Sequence, residues 1–316
     1  MKMKNTLILV AVLLGIVNVY GQKSIQELAE LSDKKFEKKV SSGNSAVLVK
    51  SFAKNARRKG VDLPDPLVPP LKKVGILSFF TADLSERDSK AIRRGGIYES
   101  FLTTDGGKEI LQSFHDEALN ALKNEFSSQG IMLLTPEEYL TEETLEIYDN
   151  FQIETSKMGS AVLASANYLQ GQSEKSIVAA TGYKVFPAPT VLSGTDPKVI
   201  SSMADLANQL GVDALLTVQI VTRKEKNEIG LSAIRISLHG PNPVPDDPKV
   251  KYGLGKYVSG ILIEYAGTEF NPAIPFAYLN KKDKSFESIE TQSFDTIIKR
   301  YASILLANFK SDYVEK

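Results

Sequence analysis

The stretch Lys72-Lys73-Val74-Gly75-Ile76-Leu77-Ser78-Phe79-Phe80 decides the fold class. After two lysines, apolar side chains fill both alternating sets of positions. That is the pattern of a strand covered on both faces, so helices must pack on each side of its sheet. The neighbouring segments agree. Ile110, Leu111, Phe114, Ala118, Leu119, Leu122 and Phe126 recur at helical spacing, which predicts an amphipathic helix over Lys108–Gln129 ended by Gly130. Ile131–Thr135 (IMLLT) reads as a second buried strand. Thr135-Pro136-Glu137-Glu138 then opens another helix, with Thr135 as cap and Pro136 in the first turn; Glu142 and Glu143 suit the first turns of a helix as well.

Further along, Met158–Leu169 reads as helix and Ser176–Phe186 as a strand stopped by Pro187 and Pro189. Asp196-Pro197 opens a helix carrying Val199, Ile200, Met203, Leu206, Ala207 and Leu210, closed by Gly211. Asp213–Thr222 is a strand. Leu216, Val218 and Ile220 alternate there with Thr217 and Gln219, which predicts one face more buried than the other. A polar turn over Arg223–Asn227 leads to a strand over Ile229–Leu238. A proline-rich loop, Pro241–Pro248, precedes a strand over Val258–Tyr265, and Ser293–Phe309 closes the chain as a helix. The order β-α-β-α, then α-β-β-β-α, predicts an α/β fold of the mixed (α+β) kind: a mixed β-sheet flanked by helices and preceded by an N-terminal helical segment.

That segment is expected over residues 22–63. Ser24–Lys59 is helical in pattern and broken near Ser41-Ser42-Gly43-Asn44. Pro64, Pro66, Pro69 and Pro70 make residues 64–71 a stiff, extended linker, leaving 72–316 as the α/β domain. Residues 1–21 read as a secretory signal peptide. Lys2 and Lys4 precede the apolar run Leu7–Val17, and Val19 and Gly21 are small enough for cleavage before Gln22. The run is shorter than the roughly 20 residues a membrane span needs. The expected setting is therefore export, to the periplasm of a Gram-negative bacterium or beyond it. The chain has no cysteine, which excludes disulfides and an acyl anchor on Cys. It is 42% hydrophobic and 24% charged with zero formal net charge, which gives no electrostatic case for nucleic acid or anionic membranes as partners.

Two pieces together carry a family resemblance: KKVGILSFF with FSSQGIMLLTPEEYL (Phe126–Leu140), and MADLANQLGVDALLTVQIV (Met203–Val221). A helix ending in Leu210-Gly211-Val212-Asp213 and running into a strand resembles the α/β domain shared by the curli-secretion protein CsgG, the N-terminal domain of TolB and the penicillin-binding-protein activator LpoB. The resemblance covers roughly Lys72–Leu238. It implies a non-enzymatic domain of the cell envelope that docks onto other proteins.

Motifs for chemistry are sparse. His115 and His239 are the two histidines; without Cys or a second His nearby, zinc is not expected. There is no Gly-x-Ser-x-Gly elbow, P-loop or His-Glu-x-x-His. Gly253-Leu254-Gly255 reads as turn glycines. Asp83, Glu86 and Asp88 read as solvated charges rather than a calcium loop. The candidate binding element is the segment Thr81–Gly107, leaving the carboxyl end of the first strand, where ligands bind in open α/β sheets. It carries Arg93, Arg94, Tyr98, Asp105, Gly106 and Gly107, and Gly106-Gly107 before a helix offers N–H groups to an anion. The alternative is a surface insertion with Asp105 as helix cap. No cofactor or metal is expected. The leading reading is an interaction or assembly protein with envelope partners, compatible with a homo-oligomer and without direct membrane insertion. A carrier or receptor for a small or lipidic ligand and a carboxylate-based enzyme remain the alternatives.

Overall fold

The structure is a computed structural model. It describes residues 24–42, 70–85, 100–151, 176–186, 203, 205–240, 251–253, 256–258, 263–283 and 285–314. The signal-peptide stretch, most of the proline-rich linker, the helix read over 158–169, residues 43–59 of the N-terminal helical pattern, and residues 196–202 and 204 of the helix that Gly211 closes lie outside the described residues.

Helix α1 (Ile25–Ala29) is set by a capping box. Glu27 N–H donates to Ser24 Oγ, and Ser24 N–H donates to the Glu27 carboxylate. After α2 (Asp33–Ser42), strand β1 (Lys73–Asp83) begins, and a short 3₁₀ turn (Phe101–Thr103) leads into α3 (Asp105–Ser128). Then come β2 (Met132–Leu134), α4 (Pro136–Tyr139), α5 (Glu142–Asn150) and β3 (Ile177–Ala179). The second half holds β4 (Ala214–Glu225), β5 (Glu228–His239), the small hairpin β6 (Lys251–Gly253) and β7 (Lys256–Val258), β8 (Ile263–Leu279), β9 (Phe286–Ile289) and α6 (Phe294–Phe309).

The main sheet runs β2-β1-β4-β5-β8-β9, and β3 pairs with the far half of β1. β1 is parallel to β2 and β4; every other pairing is antiparallel. It is the mixed, helix-flanked sheet that the sequence predicts. On one face α1, α2, α3 and α6 build the larger core. Phe36 of α2 meets Tyr301 edge-on at 5.4 Å, and Phe114 of α3 packs on Phe276 and Phe294 at 4.9 and 4.6 Å. On the other face Tyr139, Tyr148, Phe186, Met203, Leu206 and Leu210 cover Leu77 and Leu215.

Four expectations change. Glu137 and Glu138 belong to α4 and Glu142 and Glu143 to α5, because Leu140 is extended (ψ 135°) and Thr141 caps afresh. β4 is buried on both faces: Thr217 and Gln219 are 1% and 4% exposed, so polar–apolar alternation there marks two kinds of core, not a wet side. Only Ile177–Ala179 of the 176–186 stretch pairs as strand. The strand read over Val258–Tyr265 is instead the end of β7 and the start of the 17-residue β8.

The Leu-Gly-Val-Asp turn has a physical reason. Gly211 takes φ +68°, in the left-handed region, and so ends the helix. Asp213 then accepts from the backbone N–H of Lys72 (2.7 Å) and Lys73 (2.8 Å), while its own N–H donates to Lys73 O. One carboxylate fixes the start of β1 against β4. Replacing Asp213 with Ala should cost about 1–2 kcal/mol in urea unfolding, as two charge-assisted bonds are lost; Asn, which keeps one acceptor, should cost less.

Candidate functional site

The connections from two neighbouring parallel strands diverge. The chain leaving β1 reaches α3 on one face of the sheet, and the chain leaving β2 reaches α4 and α5 on the other. Such a switch point opens a crevice at the carboxyl ends of the strands, which is where open α/β sheets bind. β2 covers Lys73–Gly75 and β3 covers Phe80–Ala82, so the β1 edge between them is bordered by neither strand.

That edge also holds an irregularity. The β1–β4 register shifts between Ile76 and Ser78. A bulge frees carbonyls from the ladder, and they need other donors. Two buried tyrosines supply them: Tyr139 Oη donates to Ile76 O (3.3 Å) and Tyr148 Oη to Leu77 O (3.1 Å). Tyr148 Oη also accepts from Lys184 N–H (3.0 Å). Ser78 Oγ donates to Lys184 O (2.6 Å) and accepts from Phe186 N–H (3.1 Å). Gly75 makes room for the Tyr139 ring, which a Cβ there would meet at 2.9 Å. Burial pushes the Tyr148 hydroxyl up to about 12 and raises those of Tyr139 and Tyr183 further.

From the α3 side comes a second set. His115 is buried, edge-on to Phe79 (5.1 Å) and Tyr183 (5.2 Å). Its Nδ1 lies 3.0 Å from Asp116 Oδ1 and its Nε2 3.3 Å from Tyr183 Oη, both at hydrogen-bond distance. Gln112 donates to the same Asp116 oxygen (2.7 Å) and accepts from Thr181 N–H (3.4 Å). The His115 hydrogen bond holds the Asp116 carboxyl below its usual range. The arrangement is an Asp–His–Tyr relay that locks the 181–184 turn into the crevice. Neither the tyrosines nor His115 formed a motif in sequence: Tyr139 falls in the helix opened by Thr135 and Tyr183 in the strand read over Ser176–Phe186, and no spacing links them.

The sequence-derived candidates fall elsewhere. Arg93, Arg94 and Tyr98 lie outside the described residues. Asp105 begins α3, but Thr104 is the cap: its Oγ1 accepts from Gly107 N–H (3.2 Å), so that N–H is not offered to an anion. Gly106 and Gly107 serve close packing. A Cβ on Gly106 would stand 2.3 Å from the Phe286 ring, and one on Gly107 2.1 Å from Phe101 O. Asp83 is not a solvated charge; it is fully buried and accepts from Ser85 N–H (2.8 Å), Ser85 Oγ and Ser100 Oγ (2.7 Å), tying 85 and 100 together at the end of β1. Among the described residues, no cluster of His, Asp or Glu is arranged to hold a metal ion.

His239 is a separate matter. On the second face of the sheet, its Nε2 lies 3.0 Å from Ser237 Oγ and 3.1 Å from Thr217 Oγ1, and it is 1% exposed. Burial lowers its pKa to about 4.

Comparison with protein-family models, with characterised proteins and with solved structures finds no match. The resemblance to the CsgG, TolB and LpoB domains therefore rests on the sequence pattern alone.

Two outcomes are expected. Tyr148→Phe should cost about 2–3 kcal/mol in chemical denaturation, since Leu77 O and Lys184 N–H both lose a buried partner; Tyr139→Phe, losing one longer bond, should cost about 1 kcal/mol. Neutral His239 is required by the fold, and its folded pKa lies below the ordinary 6.5. Its contribution is complete above pH 6.5 and is lost as pH falls toward 4, to about 3 kcal/mol. Thermal melts of His239→Leu should be flatter than wild type across that window, and Thr217 and Ser237, 2.8 Å apart, can still bond each other.

Proposed function

We propose that this chain is an exported, non-enzymatic protein of a bacterial cell envelope that serves as an interaction or assembly domain, docking onto other proteins. The signal-peptide pattern and the family resemblance support the setting. The observation that carries the docking role is the position of the exposed large apolar side chains. Among the described residues these are Met132 (53%), Leu145 (47%) and Val185 (37%). All three lie on the α4–α5 side of the sheet. Leu133 faces the larger core, so its neighbour Met132 faces the other way. Leu145 is on α5, and Val185 sits between Lys184 and Phe186, which are fastened to Tyr148 and Ser78. Their occurrence on one side of the sheet, on elements fastened to β1, supports an interaction surface there.

The small-ligand reading is less well supported. The switch-point crevice, where such a ligand would enter, is filled by the chain's own Tyr139, Tyr148 and Tyr183. No described helix is long and apolar enough to cross a membrane.

The test is site-specific photo-crosslinking of the full chain in the cells that export it. A photoreactive residue at Leu145 should yield a discrete protein adduct, and one at Lys282, exposed in the turn between β8 and β9, should not. Equal labelling at the two positions, or none at Leu145, would remove the docking role.

A further inference from the structure

On the other face of the sheet, helices α2 and α6 leave a cleft of about 520 Å³ between them. A volume of that order suits a small organic ligand, for which roughly 300–1,000 Å³ is usual. α2 contributes Asp33, Phe36 and Glu37 to its walls, and α6 contributes Lys299, Arg300 and Ile304. The decisive group is Arg300. Its side chain is only 24% exposed, and its Nη1 is shut off from solvent with no hydrogen-bond partner. The Arg300 Nη2 lies 3.5 Å from Asp33 Oδ1, longer than a charged hydrogen bond, and the Asp33 side chain is 85% exposed. The guanidinium also stands 5.2 Å over the Phe36 ring, which favours the charge without meeting its fork of N–H groups. Donors buried and unmet in this way carry a cost that an acceptor in the cleft would remove.

We infer that the α2–α6 cleft binds a small zwitterion with one carboxylate and one ammonium group, as amino acids and dipeptides have, the carboxylate on Arg300 and the ammonium between Asp33 and Glu37. A carboxylate matches the two-pronged geometry of a guanidinium, and Lys299, exposed at the preceding position of α6, adds positive charge to that wall. On the facing wall Asp33 and Glu37 stand one helical turn apart, where a cation is favoured. The two walls together set the class. A phosphate would bring extra negative charge against Asp33 and Glu37, and a simple cation would leave Arg300 unmet. Phe36 and Ile304 offer the ligand's apolar part a surface. The site uses neither α4 nor α5, so it stands apart from the docking surface.

The test is calorimetric titration of the full chain with leucine and with leucyl-leucine. N-acetyl-leucine, leucinamide and inorganic phosphate are the controls, each lacking one of the two charges or carrying the wrong one. Saturable binding of a zwitterion, tighter than any control, is expected, and the better of the two probes tells a free amino acid from a peptide. Binding should weaken roughly ten- to a hundredfold in Arg300→Met, where a charged hydrogen-bonding group is lost, and by a smaller factor in Glu37→Gln. Arg300→Met keeps an apolar stem beside Phe36 and removes donors that the protein does not meet, so it should melt no lower than wild type. A clearly lower melting temperature would make Arg300 a structural clasp to Asp33 and overturn the proposal. So would failure of both zwitterions to bind, undiminished binding to Arg300→Met, or a control that binds as tightly as they do.

Discussion

Everything in this molecule is arranged around a strand that water does not reach. β1 is buried from Val74 to Asp83, on both faces, and it is the strand to which β2, β3 and β4 all pair. A strand so enclosed cannot leave a polar group to solvent, so each irregularity along it must be met by a side chain from elsewhere. Asp213 meets its first N–H groups, Tyr139 and Tyr148 meet the carbonyls at its bulge, and Ser78 meets the backbone of 184–186. At its end Asp83 turns inward and gathers Ser85 and Ser100. The second face of the sheet thereby adds specific hydrogen bonds to its apolar cluster, and the elements that bear the exposed side chains are held in place by them.

How much of this was legible depends on whether the signal was local. β1, α3, β4, β5 and α6 were readable because their apolar spacing is regular over many residues and their ends carry glycine or a cap. β8 was not. Gly267, Pro272 and Pro275 interrupt its pattern, and prolines normally argue against an inner strand. The structure accommodates them with a register break opposite Leu231–Ala233, and Gly230 lets Ala273 approach to 2.7 Å of where a Cβ would stand. That tolerance belongs to the pair of strands, so neither segment shows it alone.

The candidate site was less legible still. Glycines and arginines after a first strand are a conspicuous pattern, yet Gly106 and Gly107 answer to Phe286 and to the Phe101 backbone. Asp83 resembled one charge in an acidic loop until Ser85 and Ser100 folded onto it. His115, Asp116 and Gln112 lie close together in sequence, but their partners Thr181 and Tyr183 come from a turn nearly 70 residues away. A relay assembled at a switch point has no contiguous signature. Only the divergence of the chain after β1 and β2 indicates where to look.

The bond between Asp213 and Lys73 joins residues 140 apart in the chain. β4 and β5, by contrast, are joined by a tight turn in which Lys226 adopts φ 57°. Closing a short hairpin costs little chain entropy, whereas bringing two distant parallel strands into register costs more and is slow. The antiparallel half of the sheet can thus form as a local template, and β1 completes it only when a long loop closes. A polypeptide is made from its amino end, so the strand that organises the native core has only the short β2 and β3 to pair with until β4, in the second half of the protein, arrives. Its companion strand is the later one to be made, and the time between the two is an interval in which the polypeptide depends on being kept apart from others of its kind.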